Sequence, residues 1–208
     1  MNEPFADENP ERFAAAIRRF DEVNSQDPHR ETNDGKEIPR ELLYAQRLTE
    51  WVLRLQPNAS EPLRLAARSA HLRRWAIPRE SYPATRAGYL LWRADLKKYH
   101  AQTAGEILRE LGYPLATISQ VLSLISKSSF PNTVESRALE DALCLLFLER
   151  QFADLAKKSS DEKVINALQK TWKKMTPAAR AIALKLPYGP HETMLLKRAL
   201  QQPGAASN

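Results

Sequence analysis

The sequence predicts an all-α protein that folds as a compact helical bundle. Apolar residues recur with helical spacing in almost every segment, and only six of the 208 residues are glycine. Hydrophobic residues make up 43% of the chain and charged residues 27%, which is typical of a globular protein. We therefore expect one helical domain over residues 1–208, with a core at about 9–186 and a C-terminal helix and tail at 187–208.

Capping residues and prolines mark where the predicted helices begin. Asn9 is a favourable N-cap for a helix that has Pro10 at its first position. The polar stretch 24–38 contains the turn-forming pair Asp34-Gly35, so we expect a loop there. The sequence predicts about seven to nine helices, which begin near Pro10, Pro39, Ser60, Arg86, Leu115, Val134, Asp161, Pro177 and His191.

Cysteine usage and hydropathy limit the classes of protein to consider. Cys144 is the only cysteine, which excludes an intramolecular disulfide and a metal site built on several thiolates. No apolar run approaches the roughly 20 residues that span a bilayer. The acidic stretch MNEPFADENPE does not have the pattern of a secretory signal. We expect a cytoplasmic protein that does not bind membranes.

Positive charge is concentrated in the middle of the chain. The net charge is +6, and residues 64–98 contain nine Lys and Arg but only two Asp and Glu. Such a cluster favours an anionic partner, either a phosphate-bearing small molecule or RNA. The alternative interpretation is that the arginines lie on solvated helix faces or cap carbonyl groups, and that Trp75 and Trp92 are core residues. The residues that we expect to bind phosphate are Arg73, Arg74, Arg79 and Arg93, and Trp75 is expected to stack on a base or ring.

Three polar residues lie within the apolar stripes of predicted helices. His71 is on the third predicted helix, which runs towards Pro78, His100 is on the fourth and Asp141 is on the sixth. Two imidazoles and one carboxylate would suit one divalent metal ion. The alternative is that the histidines are hydrogen-bonded core residues and that Asp141 forms a salt bridge with an arginine such as Arg93.

Long stretches of the chain resemble an uncharacterised family, domain of unknown function 4202. The resemblance covers about residues 18–186, and PRELLYAQRLTEW, HLRRWAIPR, YPATRAGYLLWR and LEDALCLLFLE are among the segments that carry it. It implies a family without implying an activity.

A more distant resemblance is to the HD superfamily of metal-dependent phosphohydrolases. LAARSAHL, KKYHAQTAGEILRELGY and LEDALCLLFLE are similar to the segments that hold its metal ligands, which gives His71, His100 and Asp141 in this chain. The resemblance implies an HD-like helical core. The chain departs from the pattern in two places, because Leu72 stands where the signature aspartate would be and Tyr44 stands near the position of the first histidine.

These observations predict a divergent HD-like phosphohydrolase that uses one divalent metal ion and acts on a nucleotide or RNA phosphoester. In this interpretation a metal-bound water attacks phosphorus and the arginines neutralise the developing charge. A non-catalytic RNA-binding or tRNA-associated module on a degenerate HD-like scaffold is the alternative. A protein-interaction scaffold is the third hypothesis.

Overall fold

The computed structural model describes residues 9–201, and these residues form two compact units. The first unit extends to Ser136 and the second begins at Arg137, so the boundary lies in the first turn of a helix. None of the helices among the described residues is both long and apolar enough to cross a membrane.

Helices dominate both units, which confirms the predicted all-α class. The first unit contains α1 (Pro10–Ser25), β1 (Arg30–Asn33), β2 (Lys36–Pro39), α2 (Arg40–Leu55), α3 (Glu61–Ser69), α4 (Arg86–Glu110), α5 (Leu115–Ser126) and the start of α6 (Val134–Arg150). The second contains the rest of α6, then α7 (Phe152–Lys158), α8 (Asp161–Lys174), α9 (Pro177–Ala183) and α10 (Pro190–Gln201). The described residues thus form ten α-helices, one more than the upper prediction, because the helix expected over 134–157 is interrupted at Gln151.

Helix α3 is the centre of the first unit. It packs against α1, α2 and α5, and α4 packs along α5. Seven of its nine residues are buried, among them Leu63 and Leu65, because small and branched apolar side chains cover most of its surface. Ser60 caps its N-terminus by accepting a hydrogen bond from the Leu63 amide. Close packing of this kind fixes the ends of α3 relative to its neighbours.

The stretch 24–38, expected to be a loop, contains part of a two-stranded antiparallel hairpin. Asp34 and Gly35 both have positive φ, 49° and 75°, and this conformation suits a two-residue turn between twisted strands. Arg47 of α2 donates hydrogen bonds to Glu31 and Asn33, with N–O distances of 2.6 and 2.8 Å. The prediction was wrong here because strands of four residues show almost no alternation.

The third helix ends earlier than the sequence predicts. We expect a helix that continues towards Pro78, but α3 stops at Ser69 and Arg73 adopts a left-handed conformation with φ 52°. His71 and Leu72 therefore lie in the turn that follows α3. Leu72 is fully buried, so this turn is anchored by an apolar side chain.

In the second unit, α10 packs against α8 and α7. Leu168 of α8 and Leu195 of α10 are almost completely buried. Arg198 and His191, both on α10, lie within 2.9 and 3.3 Å of the Asp161 carboxylate at the start of α8. Apolar burial, with these partly exposed polar contacts at its edge, holds the two helices together.

Asp27 connects the end of α1 to the start of α2. This residue is 1% exposed, and its carboxylate accepts hydrogen bonds from the backbone and ring nitrogens of His29, both at 2.9 Å. Its other oxygen accepts the Glu41 amide at 3.0 Å. Pro39, at the N-cap of α2, has no side chain that could cap the helix. Asp27 therefore supplies the capping oxygen from a distant part of the sequence.

We expect Asp27→Ala to lower the free energy of unfolding by about 1–3 kcal/mol, because the buried Glu41 amide and two nitrogens of the more exposed His29 lose their acceptor. Urea unfolding followed by circular dichroism measures this loss. Glu50→Ala, at an exposed position of the same helix α2, is the matched control and should change stability by less than about 0.5 kcal/mol. A similar small effect of both substitutions would contradict the capping role.

Candidate acid–base site in the first unit

Three titratable side chains from different parts of the first unit lie close together. Glu41 is in the first turn of α2, His71 follows α3, and His100 is in the middle of α4. His71 Nδ1 lies 3.3 Å from Glu41 Oε2, and the ring centroids of His71 and His100 are 5.6 Å apart. The structure thus brings together the two histidines of the predicted site and adds a carboxylate that the sequence analysis missed.

His71 is held between an aromatic ring and several positive charges. Tyr44 stacks on its imidazole with ring centroids 4.2 Å apart and planes at 11°. Burial lowers the pKa of His71 well below its usual value, and the positive charges of Arg74, Lys127 and Arg93 lower this pKa further. The imidazole is therefore neutral at pH 7. Its side chain is 24% exposed, so the cluster has one side that faces solvent.

His100 is neutral and has a fixed tautomer. It is 2% exposed, and its Nδ1–H donates a hydrogen bond to the carbonyl oxygen of Leu72 at 2.8 Å. Burial, followed by the field of His71, lowers the pKa of His100 to about 3. Nε2 therefore carries a lone pair at any physiological pH. This atom is buried and has no hydrogen-bond partner among the described residues.

Glu41 titrates near neutrality because it is buried. Desolvation raises the pKa of its carboxyl group from 4.5 to about 7, although Arg74, with Nε 3.6 Å from Oε1, opposes this shift. The negative charge of Asp27 raises the pKa further. Oε2 and His71 Nδ1 are near each other but not aligned for a hydrogen bond. A carboxyl group with these properties can both take up and release a proton at pH 7.

Sequence reasoning could not have identified Glu41 as buried. Acidic residues are common in the first turn of a helix, where they usually face solvent and interact with the helix dipole. The relevant signal is long-range, because Glu41 meets His71 and His100, which lie 30 and 59 residues further along the chain. Only the packing of α2, α3 and α4 brings these positions together.

The four arginines predicted to bind phosphate have different surroundings. Arg74 is half-buried beside Glu41, and its guanidinium lies 4.8 Å from the ring centroid of Trp92. Arg73 and Arg93 are exposed. Arg79 donates hydrogen bonds to the carbonyl oxygens of residues 82 and 83, so it stabilises the connector before α4. Arg74 and Arg93 thus belong to the surroundings of His71, whereas Arg79 has a structural task.

Trp75 and Trp92 have different surroundings. Trp75, the predicted stacking residue, is half-buried in a short 3-10 turn over Arg74–Ala76. Trp92 is the ring that lies beneath the Arg74 guanidinium, and its Nε1–H donates to the carbonyl oxygen of Ile77 at 2.9 Å. Base stacking by Trp75 stays a prediction.

Asp141, the third predicted metal ligand, is engaged within the second unit. It is 4% exposed on α6, and its two carboxylate oxygens accept hydrogen bonds from the backbone amide and hydroxyl of Thr176, at 2.9 and 2.5 Å. Thr176 is in turn the N-cap of α9. Burial raises the pKa of Asp141, and the bonds from Thr176 act in the opposite direction. The inward orientation predicted from sequence thus has a structural explanation in the capping of α9.

The three predicted metal ligands have different hydrogen-bond partners. The oxygens of Asp141 accept hydrogen bonds from Thr176, whereas His100 donates from Nδ1 to Leu72 and keeps the lone pair on Nε2. Residues 9–201 contain no group of three or more His, Cys, Asp or Glu side chains arranged to hold a metal ion. A metal ion bound by His71, His100 and Asp141 stays a prediction.

The fold and the site define an all-α protein with a buried carboxylate–imidazole cluster beside several cations. The chain belongs to the family described as Domain of unknown function (DUF4202), whose family model matches residues 14–196. This match confirms the closer of the two resemblances. Comparisons with curated proteins and with solved structures give no significant match. The relation to the HD superfamily stays a prediction.

We expect Glu41 to make stability depend on pH in a specific direction. Its pKa is higher in the folded chain, about 7, than the ordinary 4.5, so its stabilising contribution is complete below pH 4.5 and is lost as the pH rises to 7. Between pH 5 and 8 the loss should be about 2–3 kcal/mol. Urea unfolding of wild type and Glu41→Gln at both pH values measures it, since the variant cannot titrate. An equal pH dependence in both proteins would contradict this environment for Glu41.

We also expect Asp141 and Thr176 to be energetically coupled. Asp141→Ala and Thr176→Ala should each destabilise the protein by about 1–3 kcal/mol, and the double variant should lose clearly less than the sum. A double-mutant cycle from urea unfolding gives the coupling. Additive effects would contradict the coupling between the Asp141 carboxylate and Thr176.

Proposed function

We propose that the chain is a phosphohydrolase that acts on a phosphoester of a nucleotide or RNA, with Glu41 as its general base. One observation carries this proposal. A buried carboxyl group whose pKa is about 7 lies 3.3 Å from a neutral imidazole and 3.6 Å from a guanidinium. General bases that operate at neutral pH require a pKa in this range.

The residues of the cluster have the properties that hydrolysis of a phosphoester requires. The Glu41 carboxylate takes a proton from a water molecule, and the water oxygen forms a bond to phosphorus. The bond from phosphorus to the leaving oxygen breaks, and Glu41 returns the proton to that oxygen. Negative charge develops on the phosphate oxygens during this step. It is neutralised by the positive charges of Arg74, Arg93 and Lys127, all of which act on His71. His71 acts as a positioning residue for Glu41.

We assign no part of this step to the divalent metal ion that the sequence predicts. The arginines and the lysine supply the charge neutralisation instead. Assays of phosphate release in the presence of EDTA and of added Mn²⁺ measure whether the activity requires a metal ion.

A non-catalytic RNA-binding module is the second candidate, and the exposed face of α4 favours it. Arg86, Tyr89 and Arg93 are all exposed and share one side of the helix by their spacing. The guanidinium of Arg93 donates to the hydroxyl of Tyr89 at 3.2 Å and lies 5.9 Å from its ring centroid. Aromatic rings beside guanidinium groups suit single-stranded RNA.

Phosphate release from nucleoside monophosphates and from RNA oligonucleotides with 5′- or 3′-terminal phosphates tests the proposed activity. We expect Glu41→Gln to lower kcat/KM by about 10²–10⁴-fold, because it removes the base. We also expect kcat/KM of the wild type to rise as the pH increases through about 7, since only ionised Glu41 accepts a proton. Glu50→Gln, at an exposed position of α2, is the matched control and should leave kcat/KM unchanged.

Two results would overturn this proposal. Equal activity of Glu41→Gln and wild type would exclude Glu41 as the base. An absence of turnover, combined with RNA binding that weakens steeply with added salt, would favour the RNA-binding module.

A further inference from the structure

Nε2 of His100 is a hydrogen-bond acceptor to which no described residue donates. Nδ1 donates to the carbonyl oxygen of Leu72, which leaves Nε2 with a lone pair, and Nε2 is buried without a hydrogen-bond partner among the described residues. An unmatched acceptor of this kind costs free energy, so native structures rarely contain one without a reason. The ring of His71 lies 5.6 Å away and its side chain is 24% exposed, so solvent reaches part of His71 beside the buried His100.

The lone pair on Nε2 restricts what can bind there. A phosphate dianion presents only acceptor oxygens, and two lone pairs that face each other repel. Protonation of the imidazole does not remove this conflict, because burial and the field of His71 keep the ring neutral. The phosphate of a ligand therefore belongs beside Arg74 and the neighbouring cations, and a different part of the ligand must meet His100.

The charges around the cluster limit the donor to a neutral group. Arg74 lowers the pKa of both histidines by its positive charge, and Lys127 and Arg93 act on His71 in the same way. An ammonium group of a ligand would be repelled by these three cations, and Glu41, which acts on His100 in the opposite direction, is a single carboxyl group against them. The neutral donor that phosphorylated sugars and ribonucleotides carry near their phosphate is a hydroxyl group.

We propose that His100 is a specificity-determining residue whose Nε2 accepts a hydrogen bond from a sugar hydroxyl of a phosphorylated ligand, which for a nucleotide is a ribose hydroxyl. This inference rests on the proposed function, because it requires a phosphate-bearing ligand at the cluster. The proposed acid–base step does not itself distinguish ligands with this hydroxyl group from ligands without it. A site that accepts a hydrogen bond from the hydroxyl group discriminates against analogues that lack it.

Two substitutions separate the two nitrogens of the ring. In His100→Asn the side-chain amide takes the place of Nδ1–H and can still donate to the Leu72 carbonyl, but no atom remains at Nε2. In His100→Gln the longer side chain brings an acceptor oxygen back to the Nε2 position. His191→Asn is the matched control, because His191 is on α10 in the second unit. Circular dichroism shows which variants are folded.

Calorimetric titration at pH 8 uses non-hydrolysable 5′-phosphonate analogues of adenosine, 2′-deoxyadenosine and 3′-deoxyadenosine, with inorganic phosphate as a fourth probe. We expect wild type and His191→Asn to bind the adenosine analogue about tenfold more tightly than one of the deoxy analogues. His100→Asn should lose this preference, His100→Gln should keep part of it, and phosphate should bind all four proteins equally.

Other outcomes overturn the inference in distinguishable ways. If phosphate binds but removal of either hydroxyl has no effect, the proposal for His100 fails and the phosphate site stands. If no probe binds, both proposals fail. One equivalent of metal in the wild type that is lost in His100→Asn would make Nε2 a metal ligand and would also overturn the inference.

A spectroscopic measurement on the wild type decides the matter without any variant. The ¹⁵N resonance of His100 Nε2, in protein labelled at histidine, reports directly on hydrogen bonding at this nitrogen. We expect the resonance to shift when the adenosine analogue binds and to shift less with the deoxy analogue that binds weakly. An unchanged resonance with all the nucleotide analogues would overturn the proposal, because the lone pair would then be satisfied by water alone.

Discussion

The cost of removing a carboxyl group from water governs the chemistry of the first unit. Glu41 is 6% exposed, and its desolvation has a larger effect on its pKa than the guanidinium of Arg74 beside it. An ionised Glu41 at this place would be destabilising without a full set of hydrogen bonds. The packing of α3 against α2, together with the bond from Asp27 to the Glu41 amide, keeps the side chain in this position nonetheless. The carboxyl group of Glu41 can therefore gain or lose a proton near pH 7.

Burial lowers the pKa of both histidines, but the two side chains have different contacts. Both are neutral, but only His100 donates to a backbone carbonyl, so its tautomer is fixed by the Leu72 oxygen. His71 has Tyr44 on one face and Glu41 at its Nδ1 atom, so it affects the position of the carboxylate. Positive charge near the cluster comes from Arg74, Arg93 and Lys127. The proton transfer, hydrogen-bond acceptance and charge neutralisation that we propose are therefore assigned to different residues.

Helical spacing predicted part of this site, because periodicity reports which side of a helix is buried. The burial of His100 and Asp141 follows from their places in apolar stripes, and the structure confirms it. Spacing contains no information on partners, so the bond of Asp141 to Thr176, 35 residues away, could not be predicted. The burial of Glu41 was equally inaccessible, since it depends on the turn after α3.

Leu72 is a position at which the chain departs from the HD pattern, and its carbonyl oxygen also contacts His100. In the HD pattern an aspartate at this place would supply a carboxylate ligand, whereas here the side chain is completely buried and apolar. A charged residue could not occupy this position without a partner. The position nevertheless acts on the site, because its carbonyl oxygen fixes the tautomer of His100. The carboxylate beside the histidines comes from α2, as Glu41, whose Oε2 lies 3.3 Å from His71 Nδ1. The acid–base step that we propose rests on this placement, because burial there raises the pKa of the Glu41 carboxyl group to about 7.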